Sequence, residues 1–229
     1  WIGPLFASFG SIPVNAEGEI TIDSDGTRSC LEFMKKLTAV MPADIYAWDD
    51  ASNNRWIISG KGSCIQNPPS AWRVAARDQP KFAAQLWHHD TPSGPKGRFR
   101  GSLPRMQGVW NFSKNKSAAK DLVLHLQQKE QMDKLIAASE GFDIPLTKSF
   151  NRHPVWKEAQ PPKGSLYNYP IQGDEFQMVC GFPAPIGIAA NIYAQGLLPN
   201  LVAKVTQENL SIDDAIKWAE DELEGFARG

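Results

Sequence analysis

The chain has 229 residues, a formal net charge of −1 and a sequence pI of about 6.5. This balance gives no electrostatic case for binding nucleic acid or an anionic membrane surface. No apolar run approaches the roughly 20 residues of a membrane-spanning helix. The length is enough for one large domain or for two lobes with cores of their own.

The three cysteines, Cys30, Cys64 and Cys180, show neither the spacing of a zinc site nor the pattern of a disulfide-rich domain. We expect Cys64 to be a small buried apolar residue. A Cys30–Cys180 disulfide stays open as an alternative for an oxidising compartment. Since the chain begins at Trp1, without Met or a signal peptide, we expect it to be a fragment or a processed product.

The first half predicts a short hairpin followed by two helices. Residues 17–23 alternate polar and apolar, which is typical of a hairpin arm. Asp25 can cap a helix over residues 27–40, with an apolar stripe that includes Leu31 and Met34, and Pro42 ends it. A second helix is predicted over residues 48–59.

A polar turn and a helix start follow in residues 60–72. Gly60-Lys61-Gly62 breaks the preceding helix, and residues 63–66 are compatible with a buried strand. Pro68 and Pro69 stop this strand, because proline lacks a ladder donor. Ser70 can then cap a helix whose first turn holds Trp72. Ligands of open α/β sheets sit at such strand ends, although most turns of this kind only connect two elements.

The second half predicts strands at residues 82–87 and 105–112, with a Pro/Gly-rich loop over 91–104 between them. Two helices follow, one through Gln127 and one ending at Gly141. The apolar side chains of the first are expected to form its buried face, and they are Ala119, Leu122, Val123 and Leu126. Residues 186–206 predict either two helical pieces or one kinked helix, with the interruption at Pro199. Ser211 then caps a terminal helix whose apolar stripe is Ile212, Ala215, Ile216, Ala219, Leu223 and Phe226.

These segments resemble the extracellular solute-binding proteins of ABC importers, in the sugar-binding group called family 1. That family has a turn of the form Asn-Gly-Pro-Trp-Ala-Trp, and residues 67–72 (Asn-Pro-Pro-Ser-Ala-Trp) match it at Asn67, Pro69, Ala71 and Trp72. Ser70 stands where the family has a stacking Trp. The helix pair of residues 113–141 and the short acidic terminal helix resemble further family segments.

The resemblance implies an α/β, two-lobed periplasmic-binding-protein-like (type II) fold that lacks its N-terminal part, because only the C-terminal three-fifths of a family member is matched. Residues 1–104 and 151–229 are expected to form the C-terminal lobe. Residues 105–150 would be a segment of the other lobe, lying between hinge crossings near 104–107 and 144–150.

The implied function is capture of a sugar or related small polar solute in an interlobe cleft. Hinge closure and docking on a membrane permease would follow, in the periplasm or outside the cell. By resemblance the candidate ligand-binding residues are Asn67, Ser70, Trp72, Trp1, Arg105, Gln107, Asn191 and Gln195. No cofactor, metal ligand or catalytic residue is implied, so the protein is expected not to be an enzyme.

Two other functions stay open, a glycoside-processing secreted enzyme and a rigid lectin-like module. The enzyme needs two carboxylates facing one cleft. Asp49-Asp50 and Asp213-Asp214 do not meet this need, because neighbours on a helix point about 100° apart. No Gly-x-Ser-x-Gly nucleophile elbow is present. His88 and Asp90 share a face of the predicted strand, but a metal site needs a third ligand that the sequence does not identify.

Overall fold

The computed structural model describes residues 2–139, 142–155 and 176–228. The helices are α1 (Ile2–Ser8), α2 (Asp25–Thr38), α3 (Ser52–Ile58), α4 (Ser70–Asp78), α5 (Pro80–Ala83), α6 (Lys116–Leu126), α7 (Lys129–Ala138), α8 (Ile186–Ala194), α9 (Leu197–Thr206) and α10 (Ile212–Arg228). Two 3₁₀ turns cover Ala43–Ala47 and Lys148–Arg152. The strands are β1 (Phe99–Gly101) and β2 (Phe176–Met178), which pair in parallel with Arg100 opposite Gln177.

The chain separates into two compact units. Unit 1 comprises residues 1–49, 91–103 and 174–229, and unit 2 comprises residues 50–90 and 104–173. This grouping differs from the predicted lobes in joining residues 50–90 to the segment after 104. This grouping does not test the lobes that the resemblance implies, so the lobe boundaries stay a prediction.

Unit 1 is built around helix α9, which contacts α1, α2, α8 and α10. Leu197, Leu201 and Val205 of α9 are buried. They lie at intervals of four residues, which places them on one face of the helix. The rest of the apolar core comes from α1, α2, α8, α10 and the segment between α1 and α2, and its largest members are Phe6, Ile22, Leu31, Ile192, Ile216 and Leu223.

Local sequence explains how the elements of unit 1 begin and end. The Ser24 hydroxyl accepts from the backbone N–H of Thr27, so Ser24 caps α2 one residue before the predicted Asp25. Ser211 caps α10 as predicted, by accepting from the backbone N–H of Asp214. The break between α8 and α9 lies at Gly196, whose φ of 61° is left-handed, and not at the predicted Pro199. Pro199 is in the first turn of α9, where its missing N–H costs nothing.

The stripe predicted for the last helix is confirmed, and the predicted antiparallel arm is present as a single bridge between Val14 and Ile20. Cys30 is fully buried, and burial raises the pKa of its thiol to about 12. Cys64 is exposed, so its predicted burial is wrong. All three cysteines are free thiols, and no Cys30–Cys180 disulfide forms in this structure.

The predictions of three strands in unit 2 are wrong. Residues 63–66 and 105–112 form no strand and pair with no other segment in the described part of the chain, which holds one two-stranded sheet. Without a neighbouring strand their backbone groups cannot form a ladder. The predicted strand at 82–87 begins instead as helix α5, because Pro80 at its start favours a helical first turn.

Unit 2 buries fewer apolar side chains than unit 1. Its buried apolar residues within the described ranges are Ile57, Ala71, Ala75, Ala83, Ile136 and Val155. The face predicted to be buried on α6 is not covered, since Leu122 and Leu126 are exposed and Ala119 and Val123 are only half-buried. Trp110 and Phe112 stack on each other with ring centroids 5.4 Å apart, yet they are 73% and 81% exposed.

Within the described residues, no single helix is long and apolar enough to span a membrane. The bent pair α8–α9 passes that test only by combined length and composition.

The core of unit 1 can be tested with Leu201→Ala. Leu201 is fully buried in α9, so truncation is expected to lower the free energy of unfolding by about 2–5 kcal/mol, from lost burial and a residual cavity. Chemical denaturation followed by circular dichroism measures the change. Ile186→Ala, at a position that is 89% exposed, is the control and should change it by less than about 0.5 kcal/mol. Equal losses in the two variants would contradict this description of the core.

Candidate functional site

Side-chain amides hold the turn between α3 and α4. We call Asn53, Asn54, Asn67 and Ser70 the amide corner. Asn53 Nδ2 donates to Asn67 Oδ1 at 3.0 Å, and Asn54 Nδ2 donates to Ser70 Oγ at 3.1 Å. Asn67 Nδ2 also donates to Ser70 Oγ, at 2.9 Å. Because Pro68 and Pro69 offer no N–H, side chains rather than backbone bonds tie this turn to the helix before it.

The predicted cap of α4 needs a correction. The residue that precedes the helix is Pro69, and Ser70 is its first helical residue. The Ser70 hydroxyl makes no capping bond to the backbone but accepts the two amide donors instead. Asn67, Ser70 and Trp72 are all half-buried, so none of them lies in a closed core.

Trp72 forms the aromatic side of the same helix start. The Arg73 guanidinium lies 5.1 Å from the centroid of its ring. The His88 ring approaches edge-on, at 6.2 Å and an interplanar angle of 79°. The indole Nε1 is buried and has no hydrogen-bond partner within the described ranges. A buried indole N–H normally has a hydrogen-bond partner, so this donor is available to a bound molecule.

Burial also sets the charge of His88. The low-polarity surroundings lower its pKa below the ordinary 6.5, and the neighbouring His89 adds a smaller effect in the same direction. The imidazole is therefore neutral at pH 7. A neutral His88 adds no charge beside Trp72, so the charge next to this ring is that of the Arg73 guanidinium.

Two further predicted residues lie in unit 2 and bond to side chains outside the amide corner. The Arg105 guanidinium pairs with the Asp143 carboxylate at 3.1 Å. Gln107 Oε1 accepts from Gln127 Nε2 at 3.1 Å. Within the described part of the chain, neither residue is joined to the corner by a hydrogen bond or an ion pair.

The remaining predicted residues lie in other parts of the chain. Asn191 and Gln195 are on and just after α8 in unit 1, where Gln195 is exposed and its backbone carbonyl accepts from Asn200 Nδ2. Trp1 lies outside the described residues. Whether these three side chains approach the amide corner stays a prediction.

Sequence reasoning missed Asn53, Asn54 and His88 as parts of this region. The signal was the pair Asn53-Asn54 at the start of α3, since asparagine is a poor helix former whose short amide favours local hydrogen bonds. Their partners lie 13 to 16 residues further on, and sequence spacing alone does not reveal them.

Adjacent carboxylates and groups of metal-ligating side chains are the remaining candidates from the sequence. Asp213 pairs with Arg28 at 3.0 Å, and the Asp214 N–H bonds to its cap, so this pair has structural roles, as interpreted from the sequence. In the described ranges no group of three or more His, Cys, Asp or Glu residues could hold a metal ion.

Two solved structures are similar to this one. The maltose-bound T. maritima MalE3 matches with a TM-score of 0.71 and 20% identity, over 97% of this chain and 56% of that protein. A Synechococcus sp. MITs9220 protein, designated an oligosaccharide periplasmic-binding protein, matches with a TM-score of 0.59 and 14% identity, over 97% of this chain and 57% of that protein. No family model matches the sequence, and no curated protein matches it.

At this identity the similarity shows the fold. The predicted class, a two-lobed α/β periplasmic-binding-protein-like fold, is confirmed for the part of that fold that this chain spans. The chain spans somewhat more than half the length of the two similar proteins. Membership of family 1 and the position of the chain within a longer protein stay predictions.

The environment of His88 predicts its titration. The pKa of its imidazole should lie below 6.5, because protonation would place a charge in a half-buried, apolar surrounding. Trp72→Ala admits water and should raise this pKa towards 6.5, which an NMR pH titration of the ring protons measures. Because the folded-state pKa is lowered, the contribution of His88 to stability should be constant above about pH 6.5 and should fall as the pH drops below it. An unchanged midpoint in Trp72→Ala, with Trp110→Ala as control, would contradict the assigned surroundings.

Proposed function

We propose that this chain belongs to the substrate-binding component of an ABC transporter, which captures a sugar or a related small polar solute without chemical turnover. The observation that supports this most is the fold similarity over 97% of the chain to a protein solved with maltose bound. Periplasmic or extracellular location is part of the same proposal, as is docking of the closed, loaded form on a membrane permease.

The chemistry of the amide corner and Trp72 suits such a solute. An aromatic face packs against the C–H face of a sugar ring, while amides and hydroxyls bond its oxygen atoms. Trp72 supplies a ring and a buried N–H without a partner among the described residues, and half-buried Asn67 and Ser70 supply polar groups at the same helix start. The neutral His88 beside them adds no charge to the aromatic side, which also holds the Arg73 guanidinium.

Serine at position 70 narrows the class of solute that we propose. The family that the sequence resembles has a second stacking aromatic residue at this point of the turn, and a hydroxyl cannot replace the apolar face of that residue. The solute therefore stacks on Trp72 and meets polar groups at position 70. A smaller or more polar sugar, a sugar alcohol or a glycoside fits this arrangement better than a long apolar-faced oligosaccharide.

The other candidate residues complete the site in the closed protein. Arg105 and Gln107 lie within one predicted hinge crossing, and Asn191 and Gln195 lie on and just after helix α8. In this proposal the two lobes of the complete protein close about residues 104–107 and 144–150, which removes water from the solute. Trp1 is the remaining candidate of this set.

We also propose that further polypeptide of the same protein covers an apolar face of unit 2. The exposed apolar side chains that this polypeptide would cover are Trp110, Phe112, Leu122, Leu126 and Leu146. An exposed apolar area of this kind marks a surface that is covered in the working molecule. The similar proteins are longer than this chain, which is consistent with additional chain at this face.

The function is tested by calorimetry of the complete protein with a panel of sugars that includes maltose. Trp72→Ala should weaken binding by roughly 1–3 kcal/mol while the fold is retained, because the stacked aromatic face is lost. Trp218→Phe is a control in the other unit, since that ring packs against the Lys204 ammonium at 4.6 Å. Solution scattering should show a smaller radius of gyration when the sugar binds.

Three outcomes would contradict the proposal. Release of a product from a glycoside, abolished by one carboxylate substitution, would identify an enzyme. Binding without any change in scattering would identify a rigid lectin-like module. Absence of binding across the panel would exclude the sugar assignment.

If further polypeptide covers these apolar side chains of unit 2, the intact protein must be larger than the 229 residues of this chain. Native mass spectrometry of the protein from its natural source should give an intact mass well above the 25.3 kDa of these 229 residues. In that protein Leu122→Glu and Leu126→Glu should each lower stability, because the charge would be placed in a covered apolar contact. A mass near 25.3 kDa together with cooperative unfolding would show that the face needs no further chain.

A further inference from the structure

The amide corner has hydrogen-bond directions that are fixed by the backbone. Asn53 Oδ1 accepts from the backbone N–H of Asn54 at 2.8 Å, and its Nδ2 donates to the carbonyl of Gln66 at 3.2 Å. Asn67 Nδ2 donates to the carbonyl of Pro68 at 2.8 Å. Since a backbone N–H only donates and a carbonyl only accepts, the amides of Asn53 and Asn67 can each take one orientation.

These directions determine what the Ser70 hydroxyl can do. A serine hydroxyl has two acceptor lone pairs and one O–H donor. Asn54 and Asn67 each donate to Ser70 Oγ, at 3.1 and 2.9 Å, so both lone pairs are used. The O–H donor has no acceptor within the described ranges, and Ser70 is half-buried rather than enclosed.

Asn54 is the residue on which this direction depends. If its amide were rotated by 180°, its oxygen would accept from Ser70 and the hydroxyl would no longer donate outwards. That rotation would place an N–H₂ group where Asn54 Oδ1 now lies, buried and without a partner in the described part of the chain. Orphaned buried N–H groups are rarer in proteins than under-satisfied oxygens, which favours the orientation in the structure.

We propose that Asn53 and Asn54 are positioning residues for the solute site, holding Asn67 and Ser70 so that the Ser70 hydroxyl meets the solute only as a hydrogen-bond donor. This inference rests on the function proposed above. The group of the solute at this point is therefore an acceptor oxygen, such as a sugar hydroxyl, a ring or glycosidic oxygen, or the carboxylate of a sugar acid. An ammonium or amide N–H at this position would face a donor and be rejected.

The first arm of the test needs no solute. In the NMR spectrum of the full protein, Ser70→Ala should shift the side-chain amide signals of both Asn54 and Asn67 and accelerate their hydrogen exchange. Ser70→Thr keeps a hydroxyl and should restore both. Asn53→Ala should affect Asn67 more than Asn54, because Asn53 bonds the Asn67 side chain directly. Side-chain amide signals of Asn54 that do not respond to Ser70→Ala would overturn the assigned direction.

The second arm uses maltose and its single-deoxy analogues in calorimetry. In the wild-type protein, one deoxy position should lose about tenfold in affinity, because the Ser70 donor is left without its acceptor. This penalty should persist in Ser70→Thr and disappear in Ser70→Ala. It should also disappear in Asn54→Asp, whose carboxylate accepts the Ser70 O–H and turns it away from the solute. Equal deoxy penalties in the wild type, Ser70→Ala and Asn54→Asp would overturn the inference.

The two arms separate this inference from the proposed function. Failure of the wild-type protein to bind any sugar of the panel counts against the function, while the amide signals still report the direction at Ser70. Sugar binding with amide signals that do not respond to Ser70→Ala keeps the function and removes the inference.

Discussion

Burial of helix α9 is the interaction on which the rest of unit 1 depends. This helix presents apolar side chains to α1, α2, α8 and α10, and its residues Leu197, Leu201 and Val205 lie inside that packing. Because the five helices share one core, the short parallel pair of strands β1 and β2 is attached to an element group that is already stable. A three-residue pairing of this kind would not persist in water by itself.

Unit 2 shows the opposite condition. Three of its six buried apolar residues in the described ranges are alanines, while Trp110, Leu122 and Leu146 face solvent. Local hydrogen bonds therefore fix more of the conformation of unit 2 than apolar packing does. Polar contacts can fix a local conformation while adding little net stability. The turn before α4 can thus have a fixed set of side-chain hydrogen bonds in a unit that buries little apolar surface.

Sequence reasoning predicted the amphipathic helices well, because their apolar positions repeat with the helical period. The stripe of α10 and its cap at Ser211 are examples. The strand predictions failed at residues 63–66 and 105–112, because short, partly apolar runs are typical of strands but do not show that a partner strand exists. A strand is defined by a partner elsewhere in the chain, and no local pattern reports whether that partner exists. The candidate site shows the same limit, since the turn at 67–72 was singled out while the amides of Asn53 and Asn54 that fix it were not.

The exposed thiol of Cys64 makes the turn before α4 accessible to chemical labelling. It lies three residues before Asn67, whereas Cys30 is enclosed in the core of the other unit with its thiol fully protonated at neutral pH. With Cys180→Ser removing the other exposed thiol, a maleimide dye would attach at a single place beside the amide corner. The protein thus carries its own attachment point for a fluorescent sensor, and such a sensor would report any molecule that settles against that turn.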